Sequence, residues 1–165
     1  MHTLLVLRHA KAAREPGVND HERPLKGRGR RNATAAGRWL VAMSLAPDRV
    51  VCSSSRRTRE TWELVSAALG AAAPDQEGVS VDRRVYDAGS RDLLDIVREQ
   101  PDEAGTVLTV GHNPASHQLA VDLTGRSDLP FPTSALAVIR LEGHWADTAH
   151  GAGDLTGFWT PHAQA

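Results

Sequence analysis

One cysteine, Cys52, stands in a chain of 165 residues, so no disulfide within the chain can staple the fold. No apolar run approaches the roughly 20 residues that a membrane-crossing helix needs. The N-terminus has no basic segment followed by a long apolar stretch, so no secretory leader is expected. An excess of one charge is also missing. The 19 Lys and Arg are matched by 20 Asp and Glu, and the formal net charge of −1 gives no global positive field for a general polyanion binder. There is no internal repeat and no linker long enough to divide domains. These absences leave a soluble cytoplasmic protein with a single core as the expectation. With 41% hydrophobic and 24% charged residues, the balance is that of an ordinary globular chain.

The chain does contain short apolar runs alternating with helical patterns. Leu4-Leu5-Val6-Leu7 reads as a strand buried on both faces, stopping abruptly at Arg8-His9. Residues 12–31, rich in Pro, Gly and charge, read as a loop. Asn32 is then a candidate cap for a helix over residues 33–44, with Ala33, Ala36, Leu40 and Met43 on one face. Arg49 to Cys52 predicts a second strand, and residues 58–69 a helix burying Thr61, Leu64, Val65, Ala68 and Leu69 and ending at Gly70. A short strand is expected within residues 79–85. Ser90 is read as the cap of a helix that Pro101 ends. Thr106 to Val110 is a clear strand, with Asn113-Pro114 read as N-cap and N1 of the next helix. A strand over residues 135–141 precedes a tail that is irregular from about 143, except for a last strand near residues 155–159. Such alternation predicts one α/β domain, a mainly parallel central sheet with helices on both faces.

Three of these strands end in residues suited to an oxyanion: Arg8-His9, then Ser53 to Arg57, then Gly111-His112-Asn113. In open α/β sheets ligands bind past the carboxyl ends of the strands. Arginine offers a planar fork of donors to phosphate oxygens, helix N-termini add N–H groups, and two imidazoles allow one to attack phosphorus while the other holds oxygens. A dianionic phosphoryl group fits such a pocket.

Leu7-Arg8-His9-Ala10-Lys11 resembles the Arg-His signature of the histidine phosphatase superfamily, the group named for phosphoglycerate mutase. Asp20-x-x-Arg23-Pro24-Leu25 followed by Gly29, the Ser53-x-x-x-Arg57-x-x-x-Thr61 stretch and Val110-Gly111-His112-Asn113 resemble its further blocks, in family order. The short length and the Arg-His-Ala-Lys form are most similar to SixA-type phosphohistidine phosphatases. The resemblance implies a phosphoglycerate mutase-like fold filling residues 1–165. It also implies His9 as the phosphorylated nucleophile and Arg8, Arg57 and His112 as phosphoryl-binding residues, with neither cofactor nor metal. The substrate would be phosphohistidine in a protein or, as an alternative, a small phosphomonoester. A phosphoprotein-binding module without turnover is a third reading, which the presence of His9 opposes.

Two departures matter. Ala10 replaces a common Gly, so the backbone there has to avoid positive φ. No Glu stands in Val85-Tyr86-Asp87-Ala88-Gly89, where larger members carry their proton donor, which leaves Asp20 or Asp87, with Asp20 favoured by the SixA resemblance. An imidazole leaving group, with an unperturbed pKa of about 6.5, tolerates a weak acid. The basic run Lys26 to Arg31 lacks interleaved aromatics and reads as a solvated rim able to steer an acidic partner, not as a nucleic-acid site. His112 and His117 are five apart, off the spacing of a helical metal pair.

Overall fold

In the computed structural model, which describes residues 1–162, the elements follow the expected alternation. They are β1 (His2–Arg8), α1 (Gly27–Ala42), β2 (Arg49–Ser53), α2 (Arg56–Leu69), β3 (Val79–Asp82), α3 (Arg83–Tyr86), α4 (Ser90–Arg98), β4 (Thr106–Gly111), α5 (Ala115–Thr124), β5 (Leu136–Leu141) and β6 (Gly153–Trp159). All six strands form one sheet in the order β3-β2-β4-β1-β5-β6. The β3, β2, β4 and β1 strands run parallel, whereas β5 and β6 run antiparallel to their neighbours.

Side chains alternate across β1, and both sets are buried. Leu4 and Val6 join Val107, Leu93, Val97, Leu119 and Leu123 on the face covered by α4 and α5. Leu5 and Leu7 join Leu108, Val110, Leu40, Trp62 and Val65 on the face covered by α1 and α2. A strand apolar at four successive positions, 4–7, therefore sits inside the sheet, where a two-sided core can use it.

Several local readings need correction. Helix α1 begins at Gly27, not after Asn32, and Lys26 occupies its N-cap without a side-chain bond. Of the glycines that suggested a loop, Gly29 serves close packing instead. A Cβ on Gly29 would fall on the Lys11 backbone, and one on Gly37 would meet Val65 O at 2.8 Å. Met43 is exposed, Leu64 only half-buried. Ser90 is the first residue of α4; the Gly89 N–H instead donates to the Asp92 carboxylate at 2.9 Å. Pro114, joined to Asn113 by a cis peptide, precedes α5, and Asn113 Oδ1 accepts the His117 N–H at 3.3 Å. The region after residue 142 holds a full edge strand, β6, which pairs with β5 across a bulge at Val138/Ile139.

Candidate active site

The order β2-β4-β1 makes neighbours of the three strands whose ends carry the polar blocks. Arg8 pairs in register with Gly111, and the His9 N–H donates to the Gly111 carbonyl at 2.9 Å. Arg8, His9, Asp20, Arg57, His112 and Asn113 line one open cavity of about 420 Å³, beside Lys11, Arg14, Arg23 and Lys26. The five site residues read from the sequence thus meet. Asp87 does not join them; it is exposed and lines a separate groove with Arg84 and Asp92.

The floor is built by short polar locks. His9 Nδ1 lies 2.8 Å from the Ala10 carbonyl. A carbonyl only accepts, so the proton sits on Nδ1 and Nε2 keeps its lone pair. His112 is set the opposite way. Arg57 Nη2, which can only donate, lies 3.3 Å from His112 Nδ1, so Nε2 carries the proton and donates to Ser53 Oγ at 2.7 Å. The two rings are 5.3 Å apart. Burial, followed for His9 by the nearby His112, Arg57 and Arg8, lowers the His9 pKa to about 3; burial and then Arg57 lower that of His112 to about 4. Both imidazoles are neutral near pH 7.

The arginines are anchored from behind. Arg8 Nη1 donates to the Phe131 carbonyl at 3.1 Å, a carbonyl that also takes Asn113 Nδ2 at 2.8 Å. Arg57, 6% exposed, donates to the Asp20 carbonyl at 2.8 Å and to the Asp20 carboxylate at 3.1 Å. Burial and then Arg57 lower the Arg8 pKa from its ordinary value. The Nε atoms of Arg8 and Arg57 are both buried without an acceptor. Two desolvated cationic donors at one floor are costly unless an anion meets the guanidinium groups.

Asp20 lines the same cavity. Its carboxylate accepts from Tyr86 Oη at 2.6 Å and from Arg23 at 3.1 Å as well as from Arg57. The Tyr86 hydrogen bond above all, then Arg23 and Arg57, holds it far below the usual carboxylate range, so Asp20 is ionised. Tyr86 packs edge-on against His112 at 5.5 Å and His21 at 4.8 Å. Sequence reading gave Tyr86 no role, although it is the only tyrosine in the chain and stands within the segment searched for an acid. It also left unassigned the Ser53 contact with His112 and Thr133 on the cavity wall. Ala10, by contrast, is at negative φ and fully buried, so the methyl group is accommodated. Among the described residues no group of three or more His, Cys, Asp or Glu is placed to hold a metal ion.

Fold and cavity together define an α/β protein with a cationic, two-histidine site at the carboxyl edge of its sheet. The model of the histidine phosphatase superfamily (branch 1) matches residues 4–80. An uncharacterized protein of Mycobacterium tuberculosis is 38% identical, the match covering 94% of this chain and 99% of the relative. The solved structure of a Nakamurella multipartitia chain assigned as a phosphohistidine phosphatase SixA is 35% identical, with a TM-score of 0.84 over 97% of this chain and 96% of that one. A chain from Agrobacterium tumefaciens with the same assignment is 26% identical, with a TM-score of 0.83 over 97% and 98%. The chain belongs to the histidine phosphatase superfamily and is a phosphatase of that group.

Proposed function

We propose that the chain removes the phosphoryl group from phosphohistidine in proteins through a phospho-His9 intermediate, without a cofactor, in the cytoplasm. One observation carries this reading: His9 is locked by the Ala10 carbonyl so that its neutral Nε2 lone pair is left for phosphorus, in a cavity lined by Arg8, Arg57 and His112.

In the first step His9 Nε2 attacks in line. The new N–P bond forms as the substrate N–P bond breaks, and the electron pair returns to the departing imidazole, which takes a proton from solvent. Arg8 and Arg57 neutralise the equatorial oxygens, and His112 donates to one of them once its proton is moved to Nδ1 or a second proton is gained. Such preorganised donors supply most of the acceleration in phosphoryl transfer. In the second step water attacks phosphorus, Nε2 leaves, and the water proton passes to the Asp20 carboxylate or to bulk.

The ionised state of Asp20 favours phosphohistidine over a phosphomonoester. A carboxylate has no proton to hand to an alkoxide, whereas an imidazole leaves with little help. The open cavity suits a side chain presented on a protein surface. The test is brief incubation with a protein labelled on phosphohistidine, a quench that avoids acid, and mapping of the label. Label on His9, no turnover in His9→Ala, and turnover lowered by about 10²- to 10³-fold in Arg57→Ala are expected. Label elsewhere, or full activity in His9→Ala, ends the mechanism. Faster turnover of sugar or nucleotide phosphates than of the phosphohistidine protein moves the substrate to small esters.

A further inference from the structure

The balanced net charge hides a segregation. Residues 1–59 carry thirteen Lys and Arg against four Asp and Glu, and residues 60–165 carry six against sixteen. The basic part is concentrated at the mouth of the cavity. Lys11, Arg14, Arg23 and Lys26 stand on its rim. From Lys26, whose carbonyl accepts the Arg30 N–H at 2.9 Å, the strip runs straight into helix α1. That helix bears Arg28, Arg30, Arg31 and Arg38 and no acidic residue in its 16 positions. Arg30, Arg31 and Arg38 also line a groove of about 450 Å³ together with Thr34 and, from α2, Leu64.

The four arginines of α1 do nothing evident for the fold. Arg28, Arg30, Arg31 and Arg38 are exposed, and their side chains have no ion pair or hydrogen bond among the described residues, whereas most of the remaining arginines are paired. Arg28 and Arg30 also lie in the first turn of α1, where the positive end of the helix dipole opposes a cation and favours an acid. A first turn built against its own dipole, unpaired and continuous with the rim of the site, has a use outside the folded chain.

We infer that the first turns of α1 form a docking surface for an acidic protein surface, which delivers its phosphorylated side chain into the adjoining cavity. This rests on the phosphohistidine-protein reading given above. Charge complementarity names the partner, and no Trp, Tyr or Phe lines the rim or the groove to stack a base. An electrostatic strip of this kind acts mainly on the rate of encounter and fades with salt.

The test uses the whole protein and two phosphohistidine peptides, alike except that four Glu in one are replaced by four Lys in the other. Arg28→Glu, Arg30→Glu and Arg31→Glu are combined, none of them a cavity residue. Wild-type kcat/KM is expected to be roughly tenfold higher for the Glu peptide at low salt, with the preference collapsing near 0.5 M salt. The triple variant is expected to lose the preference while hydrolysing free phosphoramidate at the wild-type rate and melting no lower, because acids now sit at the helix N-terminus. Fluorescence anisotropy of the unphosphorylated Glu peptide reads docking without turnover. If no phosphohistidine is cleaved but charge-dependent binding persists and the triple variant abolishes it, the substrate reading falls and the docking surface stands. Equal affinity of the wild type for both peptides overturns the docking surface. So does a single-stranded oligonucleotide of the same charge that binds more tightly and loses its grip in the triple variant.

Discussion

The Thr61 hydroxyl accepts the Ala10 N–H at 3.0 Å while donating to the Arg57 carbonyl at 2.7 Å. One buried oxygen thereby ties the loop after β1, which carries His9, to the helix that carries Arg57. Thr61→Val keeps the shape and removes both bonds, leaving a buried N–H unpaired. A stability loss of about 1–3 kcal/mol is expected, together with a fall in kcat of about tenfold or more. Thr61→Ser, which restores the oxygen, should recover most of the activity. Denaturant melts and steady-state rates on all three proteins check this, and a Thr61→Val enzyme with wild-type kcat would refute the coupling.

The Asp20 carboxylate occupies Arg57 Nη2, so it competes with any oxyanion for that donor. Asp20→Asn removes the competing charge. Inhibition by vanadate or phosphate is expected to tighten by about three- to tenfold, even if turnover suffers. Weaker inhibition in the variant would show that Asp20 supports anion binding instead of opposing it.

The neutral histidines predict how stability depends on pH. His9 and His112 bind protons only at about 3 and about 4 in the folded protein, whereas unfolded imidazoles titrate near 6.5. Between those values the unfolded chain holds more protons than the native one, so acid favours unfolding. The contribution of these sites is complete above about pH 6.5 and drains away as the pH falls, by up to about 1.4 kcal/mol per unit for each site. Urea melts near pH 8 and near pH 5 should therefore show a steep loss, and His9→Asn should remove a sizeable part of the slope. Identical slopes in the two proteins would contradict the assignment of a neutral buried His9.

Gly29 gives a prediction about packing alone. A methyl group placed there lands on the Lys11 backbone, where no side chain can swing aside. Gly29→Ala is expected to cost about 2–4 kcal/mol despite the better helix propensity of alanine, and to perturb the loop after His9. Thermal melts and activity read both effects, and a stabilised Gly29→Ala protein would exclude the close approach.

Much of the architecture was legible because β1 is apolar at four successive positions, a pattern that fits a strand buried on both faces. The strand ends then brought Arg8, His9, Ser53, Arg57 and His112 to one edge without any knowledge of the loops. The start of α1 was not legible. Glycine at positions 27 and 29 reads as a helix breaker by local propensity, while the reason for Gly29, contact with the Lys11 backbone, is tertiary. Tyr86 was hidden for a similar reason. From the short helix after β3 it reaches Asp20 and His112, and nothing in its own segment reports these distant partners. The family resemblance favoured Asp20 over Asp87. That Asp20 lines the cavity and Asp87 lies outside it was not legible from spacing, since both lie in polar segments whose direction spacing does not encode.

The sole thiol of the chain adds a consequence for redox chemistry. Cys52 lies fully buried in β2, one residue before Ser53, and burial pushes its pKa up to about 12. At neutral pH almost no thiolate exists there for peroxide to attack. With nitrogen proposed as the nucleophile at His9, oxidants that silence thiolate-dependent enzymes would find no thiolate to poison, and dephosphorylation by this chain would continue through oxidative stress.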